Sequence, residues 1–176
     1  MDSDVTPAVV PVAPDHGLVA GASGPSQSAI DRAVHTLRRL AGWHIWPPRV
    51  DTIRELVPGD PAVLLPTKRL LEIESLSIDG APRPVEDLVW DEDGVVYVPG
   101  LAPRRDGVPR VVEAVIRHGF DNPADIVGVA LAIAGRSEQP QSSYAVGRIS
   151  VGAPGTATPQ STEWRILDTY RLGPRP

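Results

Sequence analysis

Four histidines, His16, His35, His44 and His118, and the carboxylates Glu86, Asp87, Asp91, Glu92 and Asp93 are the side chains of this 176-residue chain whose types suit proton transfer, hydrolysis or metal binding. A metal needs ligands brought to one point, most simply two histidines a helical turn apart or a carboxylate loop of set spacing. The histidines are scattered, no HExxH occurs, and the acidic group does not follow the spacing of a calcium loop. A core or surface position is therefore the reading for each histidine, and a solvated turn the reading for the carboxylates. Cysteine is absent, which removes thiolate zinc sites, thiol nucleophiles and disulfides together. A serine nucleophile needs a strand-to-helix elbow, and the nearest stretch, Gly21-Ala22-Ser23-Gly24, lies in a proline-rich region instead. Neither GxGxxG nor GxxxxGK(S/T) is present, and the one lysine, Lys68, follows a proline-threonine turn. The expectation is no catalytic residue, no cofactor and no metal. A small hydrolase using His118 and the acidic turn is the catalytic rival.

The elements that would position these residues follow from periodicity. Residues 1–24 alternate Pro, Val, Ala and Gly without helical or strand repeat and read as a flexible N-terminal arm. Ser23 to Ser28 then offers N-caps, with Pro25 suited to a first turn. Ile30, Ala33, Val34, Leu37, Leu40 and Ala41 recur at helical spacing, and Gly42 is a natural stop. After Trp43 and Trp46, whose bulk suits core packing, the Pro47-Pro48 pair forbids continuation of the helix. Short strands follow over Val50–Val57, Ala62–Leu65 and Leu71–Ile78. Asp79-Gly80 marks a turn, and Leu88–Trp90 and Val95–Val98 form a hairpin around the Asp91–Gly94 turn. Arg110–His118 is expected to pair back into the same sheet. Asp121-Asn122-Pro123 opens a second helix, with Ile126, Val129, Ala130, Ile133 and Ala134 on one face and an end near Ser137. A strand-like run at Tyr144–Val151 precedes a Gly/Pro/Ser/Thr linker.

The fold class is thus α+β, with a β-sheet and hairpin insertion between helix one and helix two. Its divisions are an arm over 1–24, a folded domain over 25–151, and a linker with a C-terminal tail over 152–176. The tail is unusual because it spends Trp164 and Tyr170 beyond a flexible linker. Such bulk must dock either on the chain's own core or on a partner, and a partner is the reading preferred.

Charge restricts partners further. The net charge is −5, which argues against a nucleic-acid binder held by phosphate neutralisation. Residues 50–100 carry eleven acidic and four basic side chains, so the centre of the chain is acidic. No apolar stretch approaches a membrane span, and the N-terminus lacks a signal-peptide pattern. The reading is a soluble protein made in the cytoplasm.

The order of GWHIWPP at a helix end, a strand region closing on LLP, IESLSIDG, VWDEDGVVYV, VIRHGFDNPADI, an AGR helix end and a terminal LDTYRL resembles the head-to-tail adaptor (connector) proteins of long-tailed phages, especially those of actinobacterial hosts. The similarity covers roughly residues 27–173. It implies a small helical bundle core carrying the β insertion, to which this chain adds extended N- and C-terminal arms. It also implies a virion protein of the head-tail neck, assembled as a homo-oligomeric ring, a dodecamer in the family, beneath the portal protein. There the ring would extend the DNA channel and seat the next neck protein, a head-closure or stopper protein. DNA would pass without specific binding, and an acidic hairpin at Asp91, Glu92 and Asp93 facing the lumen would fit that passage. The resemblance assigns Trp164, Ile166, Leu167, Tyr170 and Leu172 to docking on the portal. The long arm over 1–24 is not required by the family pattern and has no assigned role. Rival readings are another neck protein, either a head-closure or a tail-terminator subunit, or a free-standing β-rich binding module.

Overall fold

The computed structural model describes residues 15–138 and 158–173, and the backbone of 144–146 and 149–151. Helix α1, Gln27–Ala41, starts at Ser26, whose hydroxyl accepts from Ala29 N, and ends at Gly42 in the left-handed conformation, φ 85°. Pro25 stands just before this cap and not inside the first turn. Six residues of α1 are buried: Ala29, Ile30, Ala33, Val34, Leu37 and Ala41. Leu40, expected on that face, is half-buried against the same core. Helix α2, Ala124–Glu138, buries the five residues its spacing predicts, Ile126, Val129, Ala130, Ile133 and Ala134. Glu138 at its end accepts from the backbone N of Ser26 at 2.9 Å, which joins α2 to the start of α1. A third helix, α3, Ser161–Tyr170, packs on both and contributes Leu167. Trp43, Ile45 and Trp46 complete this helical core.

Between α1 and α2 the chain makes seven strands around a second, separate core. They are β1 Arg49–Val57, β2 Ala62–Leu64, β3 Leu70–Ile78, β4 Ala81–Arg83, β5 Val89–Trp90, β6 Val95–Tyr97 and β7 Arg110–His118. One sheet has the order β1-β7-β3-β4 and the other β2-β6-β5. In β7, Val112, Ala114, Ile116 and His118 are buried while Glu113 and Arg117 are exposed, the period of two expected of a strand with one face on a core. The expectation that β7 shares a sheet with the 89–97 hairpin is corrected here. β7 is nine residues long and pairs throughout with the equally long β1, from Arg49↔His118 to Val57↔Arg110, and on its other side with β3. The three-residue β6 pairs instead with the equally short β2 on one side and with the two-residue β5 on the other. The three long strands share one sheet, with short β4 at its edge, and Val63, Leu65, Val96 and Val98 of the other sheet's segments join Ile73, Leu76, Val112 and Ile116 in a common core.

Two turns explain local details. Asp79 and Gly80 both have positive φ, 51° and 81°, the geometry of a two-residue hairpin turn, and they bring Ile78 opposite Ala81. This adds β4, which sequence periodicity did not contain. Gly94 has φ 86°, and a Cβ there would stand 2.9 Å from the Leu65 carbonyl oxygen and 3.0 Å from that of Thr67. Backbone atoms cannot give way as a side-chain end can. Gly94→Ala is therefore expected to cost about 1.5 kcal/mol from backbone strain and crowding, measured as a lower urea midpoint at unchanged m-value.

Residues 15–20, read from sequence as part of the arm, lie against α1. Asp15 accepts two hydrogen bonds from Arg38, at 3.0 and 2.8 Å, His16 is buried, and Leu18 and Ala20 pack on the helical core. Residues 1–14 lie outside the described residues, as does most of the linker between α2 and α3. The run at Tyr144–Val151 forms two antiparallel strands, β8 Tyr144–Val146 and β9 Ile149–Val151. No described helix is long and apolar enough to cross a membrane.

Candidate functional site

The terminal segment is held by its own fold at six points, and its helix is capped from within. Gln160 and Glu163 form a capping box at the start of α3. The Glu163 carboxylate also receives two hydrogen bonds from the Arg136 guanidinium, both at 2.7 Å, and this pairing holds its carboxyl below the usual glutamate range. Leu167 is fully buried. Trp43 Nε1 donates to the Tyr170 carbonyl at 2.6 Å, and the Tyr170 hydroxyl donates to Asp125 at 2.6 Å. Burial and the Asp125 carboxylate together push the Tyr170 phenol well above its normal range. Phe120 meets the Tyr170 ring edge-on with centroids 5.2 Å apart. Finally, Leu172 N donates to the Ala41 carbonyl at 3.0 Å, and its side chain lies over Gly42.

Of the five residues assigned to partner docking, Leu167 is therefore spent on the chain's own core. Trp164, Ile166, Tyr170 and Leu172 are each half-buried and keep part of their surface in solvent. Arg136, Asp125 and Trp43, which hold this helix, were not singled out for that task by sequence. The signal was present: Trp164, Leu167 and Tyr170 repeat every three residues, and Gln160 precedes Glu163 by three.

The acidic turn sits beside the same chain end. Asp91 holds the turn by accepting from Val95 N at 3.0 Å, and Glu92 pairs with Arg69. Asp93 and the Leu64–Lys68 segment, with Leu172 and Gly173, line a cavity of about 210 Å³. The structure thus brings together two groups that are eighty residues apart in the chain. All three carboxylate residues are exposed, as a solvated turn requires.

The histidines are placed elsewhere. His35 is exposed on α1. His16 accepts from Leu18 N through Nδ1, so its Nε2–H donates to Asp31, at 2.9 Å. His44 and His118 are buried where the helical and β cores meet, with rings 6.1 Å apart. His44 Nε2 donates to the Pro47 carbonyl at 2.5 Å, and His118 Nε2 bonds Asp51 at 2.9 Å. Burial raises the Asp51 carboxyl, but His118 and Arg49 outweigh it and hold it below the usual aspartate range. His118 and the acidic turn do not meet, so the catalytic rival lacks its geometry: the imidazole is enclosed and bonded to Asp51, while Glu92 is bonded to Arg69. Among the described residues no group of three metal-ligating side chains occurs.

No protein-family model matches the sequence, and no curated protein matches it. Among solved structures, the fold is similar to a chain in the neck of an empty GTA particle computed with C6 symmetry, with a TM-score of 0.50 and 17% sequence identity. The match covers 85% of this chain and 80% of that chain, and at this identity it is a likeness of fold.

Proposed function

We propose that this chain is a structural neck protein of a phage-like particle, and within the neck the head-to-tail adaptor. The observation that carries this reading is the fold likeness to a neck chain over most of both chains. The helical bundle with a β unit between its first two helices agrees with what the sequence resemblance implies. In this reading copies of the chain form a ring, a dodecamer, beneath the portal protein and seat the next neck protein. DNA passes through the ring, and the exposed Asp91, Glu92 and Asp93 keep that passage free of phosphate-binding charge. The particle, not a membrane, is its location, and no catalysis is involved.

Docking on the portal falls to the solvent-facing parts of Trp164, Ile166, Tyr170 and Leu172, presented by a helix that Leu167 anchors to the bundle. Removal of α3 would open the helical core, so point substitution is the cleaner test. Native mass measurement of the full chain, alone and mixed with portal particles, is expected to give a twelve-copy ring on the portal. Ile166→Asp is expected to weaken that decoration at least several-fold at temperatures where the variant remains folded, with some loss of thermal midpoint because part of the side chain packs on the helical core. Binding only to a tail-side protein would instead identify a head-closure or tail-terminator subunit.

A further inference from the structure

The two sheets differ on their outer faces. On the long sheet, the exposed side mixes apolar groups with charge: Val50 and Leu56 are exposed there, beside the opposite-charge register partners Arg54 with Glu113 and Arg117 with Glu72. On the short sheet, the outward positions are Ala62, Leu64, Val89, Val95 and Tyr97, without a single charge. Leu64, Val89, Val95 and Tyr97 are 46, 68, 39 and 47% exposed. Cross-strand pairing places Ala62, Tyr97 and Val89 in one row and Leu64 and Val95 in the next, so the apolar side chains are contiguous. A contiguous apolar face of this kind marks an interaction surface.

The chain itself contains a complementary segment. From Val5 to Pro14 no residue is charged, and Val5, Ala8, Val9, Val10, Val12 and Ala13 are interrupted by Pro7 and Pro11 and followed by Pro14. Proline spacing of this kind excludes a helix and favours an extended strip, which can lie flat on a sheet face. The strip leaves the fold at Asp15, which Arg38 and Arg49 hold at the base of β1. Its residues 1–14 span roughly 45 Å when extended, about three times the ~15 Å radius of gyration of a domain this size. A fully extended strip of that length is long enough to reach a neighbouring subunit.

We infer that residues 5–13 of one copy lie across the outer face of the β2-β6-β5 sheet of the neighbouring copy. The inference rests on the ring reading above. The arm is then a strap between subunits, which gives residues 1–14 the role that the adaptor resemblance leaves unassigned.

The lack of native cysteine makes the test direct. Full-length Val9→Cys and Val95→Cys chains are mixed on portal particles, oxidised mildly and run on a non-reducing gel, with ring formation followed by native mass. The expected result is a disulfide-linked dimer at several times the yield of either variant alone, and a multi-subunit ladder from the double variant. Val9→Cys mixed with Thr52→Cys, on the outer face of the long sheet, is expected to give none. An intact ring whose double variant forms only an intramolecular bridge would mean that the arm covers its own sheet, and the inference fails. An intact ring with no bridge also overturns it. Absence of any ring overturns the ring reading, and the strap with it.

Discussion

Leu167→Ala is expected to lower the stability of the isolated chain by about 3 kcal/mol, within the usual range for removing a fully enclosed leucine, and to drop Tm by roughly 10 °C. Leu167 has no exposed surface and sits among the buried residues of α1 and α2. Truncation removes the contacts of its side chain and leaves a cavity that the three helices cannot fully close. The effect extends beyond one side chain, because α3 is only ten residues long and gains its stability from packing rather than from intrinsic propensity. Its remaining ties are the Arg136–Glu163 pair, the bonds from Trp43 and to Asp125, and the half-buried Trp164, Ile166 and Tyr170. Urea and thermal denaturation of the isolated chain measure the change. A loss below about 1 kcal/mol would mean that α3 is not docked on its own bundle in solution. In that case Leu167 would be free to serve a partner, as the sequence resemblance implied.

Acidification is expected to weaken the fold before the carboxylates titrate. Burial, together with the nearby Arg38, Arg49 and His118, lowers the His44 pKa from 6.5 to about 4, against a smaller opposing effect of its bond to the Pro47 carbonyl. Its Nε2 is the donor in that bond, so the neutral ring keeps an enclosed lone pair at Nδ1, which has no hydrogen-bond partner among the described residues. Protonation would place an unpaired N–H and a charge in that enclosure. Because the folded pKa lies below the unfolded one, the unfolded chain takes up the proton first. Stability from this group is complete above pH 6.5 and is lost as pH falls toward 4. The linkage amounts to about 2 kcal/mol once solvent screening near the junction is allowed for. Below pH 4 a second decline follows, as Asp15, Asp51 and Glu163, all held below their usual values, take up protons. Urea midpoints between pH 7 and 4 measure the first decline, and His44→Gln, which keeps a donor for Pro47 but cannot charge, is expected to flatten it. An unchanged slope in that variant would assign the decline to another group.

The two long helices were legible because their information is local. The spacing of Ile126, Val129, Ala130, Ile133 and Ala134 states which face is buried whatever that face meets, and Gly42 and Ser26 mark the ends of α1 through backbone geometry alone. The Asp91–Gly94 hairpin was legible for the same reason. Strand partners were not. Alternation tells which side of β7 is buried, but pairing is chosen by length and register among segments far apart, and this set β7 between β1 and β3 and apart from the hairpin. The C-terminal segment shows the same division. Its composition alone determined that Trp164, Leu167 and Tyr170 must dock somewhere, because apolar bulk is costly in water. Only the tertiary structure decided where, by presenting a groove between α1 and α2 with Arg136 placed for Glu163 and Trp43 for the Tyr170 carbonyl. The reason is physical: burial demand belongs to a segment, whereas the surface that meets it is assembled from residues 27 to 127 positions away, as with Arg136 and Trp43.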